Sequence, residues 1–351
     1  MEAEEAHLAA LRQLEMLDFF RMHGLLSLLY RSPLWHISVH VAGMDWLNPV
    51  GLAAGFSKNG EALAGLAALG FGSIEIGTIV PRPQEGNPQP RVFRYPTDHA
   101  VINRYGFNSK GSKFVAARIF YTHRTFFIPT PFIFSIGANK ITIDAYAESK
   151  DLNSVVADYI AVFTDLLPVM RPKDGLQINI SSPNTPGLRD LFDRLSEFLG
   201  LFVEQAKRVA VAAGRYQLPP LILKVAPDGF SAEDYRNIVL ISAEHGFAGI
   251  EATNTTIDET IKKSYGFSES GGLSGLPLRR LATGCLMHMR ESAEKNGIDL
   301  IGVGGILNGR HAAEKWQTGA KAIQLYTGLI FRGPELIREC IERYLVIQKL
   351  K

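Results

Sequence analysis

The sequence predicts an α/β protein built as a TIM (β/α)8 barrel with a short N-terminal helical extension. From Asn48 onward, short apolar runs alternate with longer stretches of helical periodicity. Eight pairs of one strand and one helix over about 300 residues match the number of elements and the length of a TIM barrel. The runs are apolar throughout, as expected for parallel strands covered on both faces. A doubly wound sheet is the competing fold, and the absence of a GxGxxG motif weakens its dinucleotide-binding version.

Strands and helices are expected to alternate along the chain. The strands are predicted at 50–54, 73–77, 132–137, 176–180, 221–226, 248–253, 300–303 and 322–325. The helices are predicted at 61–69, 109–120, 151–168, 190–213, 231–245, 277–296, 309–318 and 334–348. Ser231, ahead of Glu233 and Asp234, is a typical helix start signal. We expect two units, an N-terminal helical arm at 1–34 and the barrel at 35–351.

The first thirty residues follow a pattern of their own. Between residues 5 and 30, leucines and Phe20 recur at spacings of three and four, with one break at Gly24. This predicts two short amphipathic helices. They are interpreted either as an arm packed on its own barrel or as a patch that enters a membrane surface. No run of about 18 uncharged apolar residues occurs, so no membrane span is predicted.

Composition excludes several classes of protein. The chain has 351 residues, 46% of them hydrophobic and 21% charged, which is typical of a globular protein. A net charge of +2 argues against general nucleic-acid binding, which requires an excess of Lys and Arg. Cys285 and Cys340 are isolated, so neither a disulfide framework nor a metal site is expected, and a reducing compartment is the default.

In this fold, chemistry lies at the carboxyl ends of the strands. Here those ends carry amides, hydroxyls, glycines and two lysines, with few acids and no His or Cys. Such a rim suits a planar, polar, anionic ligand better than a metal or a cysteine nucleophile. The last two strands end in Gly302–Gly305 and Tyr326–Gly328, which predict either a phosphate site or a pair of tight turns. Gly271–Gly275 is a second candidate for close backbone approach.

Two further features at the strand ends carry chemistry. Lys224 lies within the apolar run LILKVA, so it is either an ion-paired lysine or a positive charge beside a group that becomes anionic. The N1–C2=O edge of a reduced flavin is such a group, and Lys58 would then serve an anionic substrate. Residues 179–185 offer amides and hydroxyls to a small planar molecule, or simply end strand four as a polar turn. Nothing supplies a His–Asp partner, which disfavours a hydrolase triad.

Nine stretches occur in the order typical of one enzyme family: AAGFSKNG, EIGTIVPRPQEGNPQPRVFR, INRYGFNS, NISSPNT, LKVAPD, TNTT, GGLSG, IGVGGI and QLYTGL. They resemble the class 2 dihydroorotate dehydrogenases, the membrane-associated and quinone-reducing kind, from about residue 5 to the C-terminus. The resemblance implies an FMN-containing barrel that oxidises dihydroorotate to orotate in de novo pyrimidine biosynthesis. It implies that the electrons pass from FMN to ubiquinone.

The resemblance also implies roles for individual residues. FMN-contacting positions are matched by Ala53, Ala54, Gly55, Thr78, Asn139, Asn179, Lys224, Thr253, Gly275, Gly304, Gly305, Tyr326 and Thr327. Substrate-contacting positions are matched by Lys58, Asn103, Arg104, Tyr105, Gly106, Phe107, Asn179, Asn184, Asn254 and Thr255. Ser182 matches the catalytic base, where the similar class 1 enzymes carry Cys. His7, Arg94 and Tyr326 match members of the quinone tunnel.

The reaction itself is consistent with these residue types. It removes a proton from C5 and a hydride from C6 of dihydroorotate. A base on one face of the substrate can take the proton, and flavin N5 on the other face can take the hydride. Because serine is a poor base, we expect Ser182 to pass the proton through Thr185 and an ordered water near Phe107. Lys58 is expected to neutralise the substrate carboxylate. Hydrogen bonds that fix the ring are expected from Asn103, Asn184 and Asn254.

Two residues depart from the family pattern. Ser57 stands where the family usually has Asp, which alters a structural bond beside Lys58, and Ser135 replaces a common Asn on the flavin side. We interpret the chain as a truncated form without the targeting sequence, the transmembrane segment and part of the quinone-site wall. Residues 5–30 are then the membrane-facing remainder. A monomer at the mitochondrial inner membrane is expected, and the bacterial cytoplasmic membrane is the alternative.

Three competing functions remain open at this point. One is a non-redox barrel isomerase or lyase whose glycine loops hold a substrate phosphate. Another is RNA binding by residues 82–118, which hold seven Arg or Lys against two acids but lack a platform of aromatic rings for stacking. The third is a class 1 enzyme that uses fumarate or NAD as its electron acceptor.

Overall fold

Strands and helices alternate along the chain as the periodicity predicts. The computed structural model describes residues 2–34, 36–185 and 187–349. The strands are β1 (Val39–Val41), β2 (Met44–Trp46), β3 (Val50–Ser57), β4 (Ile74–Ile79), β5 (Val92–Tyr95), β6 (Ala100–Asn103), β7 (Phe132–Ile136), β8 (Gly175–Asn179), β9 (Leu221–Val225), β10 (Gly249–Ala252), β11 (Gly272–Gly275), β12 (Asp299–Val303) and β13 (Ala320–Leu325). The helices are α1 (Ala3–Phe19), α2 (Gly24–Tyr30), α3 (Leu63–Ala68), α4 (Ser112–Thr125), α5 (Lys140–Ser149), α6 (Leu152–Leu166), α7 (Leu195–Ala212), α8 (Ala232–Glu244), α9 (Glu259–Ser264), α10 (Arg279–Asn296), α11 (Gly309–Gln317), α12 (Thr327–Arg332) and α13 (Glu335–Lys349).

Eight parallel strands close into a barrel in which spatial order follows chain order. Around the barrel the strands run β3, β4, β7, β8, β9, β10, β12 and β13, and β13 pairs with β3 to complete the ring. These are the eight strands that the apolar runs predict, so the TIM barrel is confirmed. Every residue of β4, β7, β8, β9 and β10 is buried, which explains why those runs are apolar without alternation.

The long helices α6 and α7 pack on the barrel through one apolar face. The predicted start of α8 is confirmed, because Ser231 and Asp234 form a reciprocal capping box. By length and composition alone, Leu152–Val169 would suffice to cross a membrane, with a mean hydropathy of 1.3. In this fold its α6 portion buries seven side chains, among them Tyr159 and Phe163. Its apolarity is therefore explained by packing in the barrel wall.

Two small sheets lie outside the predicted pattern. The β1–β2 hairpin packs against the amino ends of the barrel strands, where Gly175 and Gly249 make room for it. A Cβ at those glycines would lie 2.5 Å from Met44 Sδ and 2.6 Å from Ala42 Cβ. At the other end of the barrel, β5, β6 and β11 form an antiparallel sheet. These strands have only three or four residues, too few for a periodic signal.

The N-terminal helices α1 and α2 pack on α3 and leave their other face exposed. Glu4 of α1 forms a double ion pair with Arg91, with distances of 2.8–3.1 Å between their oxygen and nitrogen atoms. Leu11 and Asp18 are buried, whereas Phe19 and Leu28 are 81% and 82% exposed. The helices therefore pack on the barrel and also expose an apolar surface. The expected boundary between residues 34 and 35 falls at Trp35, which lies outside the described residues.

The docking of α1 includes one titrating carboxylate. Asp18 is 8% exposed and lies beside Gly65 of α3, and burial raises its pKa to about 7. The charged groups nearby are His23, whose Nδ1 lies 3.7 Å from Asp18 Oδ1, and Glu15. The folded state thus holds the Asp18 proton more tightly than the unfolded chain does. It follows that ionisation of Asp18 destabilises the fold as the pH rises from about 4 to about 7.

We predict that Asp18→Asn stabilises the protein increasingly as the pH rises, because the amide cannot ionise. Urea unfolding at pH 5 and pH 8 measures the difference in free energy of unfolding between variant and native chain. The difference is expected to be larger at pH 8. Asp144→Asn, which removes an exposed carboxylate on α5, controls for the loss of one charge. An Asp18→Asn difference that is equal at both pH values would contradict the prediction.

Candidate active site

The carboxyl ends of the barrel strands open into a cavity of about 600 Å³ that extends beneath α1 and α2. A cavity of this size and depth is typical of a small-molecule or cofactor site. The predicted cofactor positions that line it are Ala53, Ala54, Gly55, Thr78, Asn179, Lys224, Thr253, Gly275, Gly304, Gly305, Tyr326 and Thr327. The other predicted positions that line it are His7, Lys58, Arg94, Asn103, Tyr105, Gly106, Phe107, Ser182, Asn184, Asn254 and Thr255.

Two predicted residues lie outside this lining. The side-chain amide of Asn139 accepts from the backbone N–H of Arg82 at 3.0 Å and donates to Gln84 Oε1 at 2.8 Å. Arg104 Nη1 donates to Glu269 Oε2 at 2.8 Å. Both side chains are engaged by neighbouring loops, so their predicted contacts with cofactor and substrate stay predictions.

A lysine and several amides gather at one side of the cavity. Lys58 Nζ donates to Asn108 Oδ1 at 2.8 Å and lies 2.9 Å from the centre of the Tyr105 ring. Burial holds the pKa of Lys58 well below its usual range. Asn184 Nδ2 donates to Asn103 Oδ1 at 3.1 Å. This corner offers a desolvated cation beside amide donors and acceptors, which suits a small anionic ring.

Ser182 lies in the same cavity, after the end of β8, and is 6% exposed. Its Oγ accepts from the backbone N–H of Asn184 at 3.3 Å. Among the described residues, no carboxylate or imidazole forms a hydrogen bond with it. Thr185 Oγ1 is buried and has no hydrogen-bond partner within the described part of the chain. The hydroxyl of Thr185 is therefore available to a proton path.

A charged cluster forms the floor of the cavity. Lys224 of β9 forms an ion pair with Glu251 of β10, and its Nζ lies 3.9 Å from Glu75 Oε1 of β4. Burial together with the charge of Glu251 raises the pKa of Glu75 well above its usual range. Burial alone would lower the pKa of Lys224, but the charges of Glu251 and Glu75 outweigh it and raise that pKa. The cluster thus places the buried ammonium group of Lys224 beside two buried carboxyl groups, and the pKa of one of them, Glu75, is strongly raised.

A chain of hydrogen bonds runs from this cluster across the floor. Gln177 Nε2 donates to Glu251 Oε2 at 2.9 Å, and Ser135 Oγ donates to Gln177 Oε1 at 2.8 Å. The oxygens of Ser135 and Thr78 lie 2.9 Å apart. Asn179 Nδ2 then donates to Thr78 Oγ1 at 2.7 Å. Ser135, one of the two departures from the family pattern, is thus a link between strands β4 and β8.

The other departure is also satisfied within the protein. Ser57 Oγ is buried and donates to the backbone carbonyl of Glu61 at 2.9 Å. The Glu61 carboxylate accepts from the backbone N–H of Asn59 and from its side-chain amide, both at 2.8 Å. The loop that carries Lys58 is therefore held by Glu61 on both sides of the lysine.

Glycines shape the cavity wall opposite Lys58. Gly304 and Gly305 have φ values of +103° and +74°, and a Cβ at Gly305 would lie 2.4 Å from Arg279 Cα. Tyr326 donates its hydroxyl to the carbonyl of Gly55 at 3.3 Å. The hydroxyl oxygens of Ser274 and Thr327 lie 2.8 Å apart. This wall therefore combines exposed backbone with hydroxyl donors, as a phosphate site requires.

An apolar passage connects the cavity with the N-terminal helices. His7 Nε2 lies 3.0 Å from the carbonyl oxygen of Phe56, and the two rings meet edge to face at 4.8 Å. Burial lowers the pKa of His7. The Phe56 ring in turn contacts Tyr326 at 5.8 Å. The remaining apolar lining comes from Ala6, Ala10, Leu14, Leu17, Leu26, Tyr30, Leu66 and Leu69.

Sequence reasoning missed the acidic half of the floor. Glu75 and Glu251 lie within the apolar runs SIEIG and AGIEAT, just as Lys224 lies within LILKVA. A charged residue in a run that is otherwise buried requires a partner of opposite charge. Glu75, Lys224 and Glu251 all meet this description, so the sequence could have predicted that each of them has such a partner. Gln177 in LQINI carries the same signal in weaker form.

The comparisons with known proteins agree with this geometry. A family model described as "Dihydroorotate dehydrogenase" matches residues 36–346. The chain is 42% identical over 345 residues to "Dihydroorotate dehydrogenase (quinone)" of Flavobacterium lutescens, covering 97% of this chain and 92% of that protein. It is 39% identical over 342 residues to "Dihydroorotate dehydrogenase (quinone), mitochondrial" of Mus musculus, covering 96% of this chain and 80% of that protein.

Solved structures give the same result. The structure described as ligand-free type DHODH from Eimeria tenella matches with a TM-score of 0.76 and 33% identity, covering 97% of this chain and 95% of that chain. A complex of DHODH from the same organism with ferulenol matches with a TM-score of 0.76 and 34% identity, covering 90% of this chain and 85% of that chain. By family model, sequence and fold, the chain belongs to the quinone-type dihydroorotate dehydrogenases.

Proposed function

We propose that this chain oxidises dihydroorotate to orotate in de novo pyrimidine biosynthesis, with FMN as its redox cofactor and ubiquinone as its electron acceptor. One observation carries the proposal. A single cavity joins the polar corner at Lys58 and Ser182 to the apolar passage beneath α1 and α2. The polar corner suits a polar substrate, and the apolar passage suits an apolar electron acceptor. Both regions open into the cavity that the glycine wall lines. Membership of the quinone-type family supports both identities, in place of the non-redox or class 1 alternatives.

The residues of the floor and the glycine wall fit FMN. Lys224 uses one of its three donors on Glu251, which leaves the others to face the cavity. Asn179 and Thr78 offer an amide and a hydroxyl beside it. Gly304, Gly305 and Thr327 offer backbone and hydroxyl donors for a phosphate. When bound, FMN supplies the two-electron redox chemistry of the reaction.

Substrate binding is proposed for the opposite corner. Lys58 is half-buried, and the loss of solvation lowers its pKa, so a carboxylate beside it would favour its charged form. Asn103, Asn184 and Asn254 present amide groups to the ring, and Asn254 Nδ2 is oriented by Ser181 Oγ at 3.1 Å. These contacts hold C5 of the substrate toward Ser182.

Ser182 is the proposed base that takes the C5 proton. Its hydroxyl has no acidic or basic partner among the described residues, so it must hand the proton onward rather than keep it. The buried Thr185 hydroxyl, three residues along the chain, is the proposed next group. Phe107 lines the same region of the cavity and shields the path from bulk solvent.

We propose that the exposed face of α1 and α2 lies on a membrane, where ubiquinone is dissolved. Besides Phe19 and Leu28, this face exposes Phe20 (61%) and Leu29 (68%). His7, Arg94 and Tyr326 are proposed to line the quinone path between this surface and the barrel mouth. We also propose that the protein acts as a monomer. For the compartment we propose the mitochondrial inner membrane, and the bacterial cytoplasmic membrane is the alternative.

The choice of electron acceptor tests the proposed function. Purified protein with FMN is expected to oxidise dihydroorotate rapidly with a short-chain ubiquinone analogue. Fumarate and NAD are expected to support at most about one hundredth of that rate, because the passage is apolar and has no built site for a charged acceptor. Faster turnover with fumarate or NAD than with the quinone would contradict the proposal.

We predict that Ser182→Ala lowers the rate of substrate oxidation at neutral pH by about 100-fold or more, since the general base is lost. Anaerobic stopped-flow absorbance at the flavin band measures this half-reaction without the quinone. Ser182→Cys, which supplies another ionisable group, is the matched control and should retain more of the rate. Full turnover of Ser182→Ala at neutral pH would show that another group is the base.

A further inference from the structure

One stretch of the sequence is basic without being explained by the site. Residues 99–143 contain six Arg or Lys and no Asp or Glu. Arg104 is paired with Glu269 near the barrel mouth. Three of the others belong to α4 or lie just before it, and Arg124 lies in its last turn. The excess positive charge is therefore concentrated on one surface helix.

The outer side of α4 carries a single stripe of aromatic and basic side chains. Lys113, Phe114, Phe120, Tyr121 and Arg124 are all exposed, at spacings that keep them on one side of the helix. The opposite side is buried and consists of Ser112, Val115, Ile119 and Thr122. Just after the helix, Phe127 is 95% exposed. We refer to these five exposed helix residues together with Phe127 as the aromatic–basic face.

The cations on this helix lie over the aromatic rings. Lys110 Nζ and the Arg118 guanidinium lie 4.8 Å and 5.5 Å from the centre of the Phe114 ring. The guanidinium of Arg124 lies 5.6 Å from the centre of the Phe120 ring. Rings interleaved with long basic side chains are typical of surfaces at the level of lipid headgroups. There the rings enter the interface and the cations contact phosphate.

The aromatic–basic face adjoins the exposed apolar side of α1 and α2. Arg118 Nη2 lies 3.1 Å from Glu15 Oε1 of α1. His23, between α1 and α2, meets the Phe126 ring edge to face at 5.5 Å. The N-terminal helices and α4 are thus joined at two points. Their exposed surfaces therefore lie next to each other.

We propose that the aromatic–basic face of α4 is a second membrane contact, which binds an anionic lipid bilayer alongside α1 and α2. This inference rests on the proposed function, because a membrane-dissolved quinone is what requires the contact. Two separate contacts restrict the tilt of the barrel on the bilayer more than one contact does. The passage beneath α1 and α2 is thereby held toward the lipid. The charge complements anionic headgroups, and the neighbouring apolar surface favours a bilayer over RNA.

Vesicle binding of the 351-residue chain with FMN tests the proposal. We expect Tyr121→Ser/Phe127→Ser to weaken partition onto phosphatidylcholine–phosphatidylglycerol vesicles by about tenfold or more. Lys113→Gln/Arg124→Gln should weaken partition onto these anionic vesicles but not onto pure phosphatidylcholine. The matched control is Val211→Ser/Tyr216→Ser, at positions that are 59% and 92% exposed on and after α7. This control should bind like the native chain.

Kinetics separate this inference from the proposed function. All these variants should keep the native kcat/KM with a short-chain soluble quinone, and the α4 variants should show a raised KM for long-chain ubiquinone held in vesicles. If the native chain fails with the soluble quinone, the proposed function is wrong. Native vesicle binding by both α4 variants, with binding lost only in Leu28→Ser/Leu29→Ser, would overturn the second contact. Retention on RNA that the α4 variants lose, without any change in vesicle binding, would also overturn it and assign the face to RNA.

Discussion

The buried positive charge of Lys224 is the constraint on which the rest of the site depends. An isolated ammonium group inside a barrel would lose its proton, since burial disfavours the charged form. Glu251 supplies the compensating charge, and Gln177 satisfies the second carboxylate oxygen at 2.9 Å. Burial and the charge of Glu251 raise the pKa of Glu75, the third titratable residue of the cluster, well above its usual range. The cation therefore persists at the floor of the cavity, where a cofactor that gains negative charge on reduction benefits from it.

The hydrogen bond between Glu251 and Gln177 also orders the neighbouring side chains. Hydrogen bonds pass from Gln177 through Ser135 to Thr78 and Asn179, so side chains of β4, β7 and β8 form one connected network in the floor. Ser135 Oγ donates to Gln177 Oε1 at 2.8 Å, which joins β7 to β8 in this network. Above this floor, the glycine wall, the Lys58 corner and the apolar passage each present a different chemistry to one cavity. This separation is what allows a polar substrate and an apolar acceptor to use the same enzyme.

Much of the barrel could be predicted from the sequence, because fully buried strands leave continuous apolar runs and their helices leave a 3.6-residue period. The polar strand ends and Lys224 could be predicted for the same reason, as interruptions of those runs. Glu75 and Glu251 interrupt apolar runs in the same way. Their interaction with Lys224 could not be predicted, because that requires knowing which strands are neighbours. The β5–β6–β11 sheet could not be predicted, since each strand has only four residues. The resemblance placed Asn139 and Arg104 at the site, yet loops on either side engage their side chains, which residue matching does not reveal.

The most direct test of this account is the FMN content of Lys224→Met and of Lys224→Met/Glu251→Gln, measured by absorbance after gel filtration, together with their free energies of unfolding. The single variant leaves Glu251 buried without a cation and is expected to be destabilised by about 3–5 kcal/mol. The double variant removes both charges and should recover most of that stability while still failing to retain FMN. Lys262→Met, at a buried lysine of α9 outside the cavity, should retain it. Native FMN affinity in a stably folded double variant would contradict the central role of the Lys224 charge.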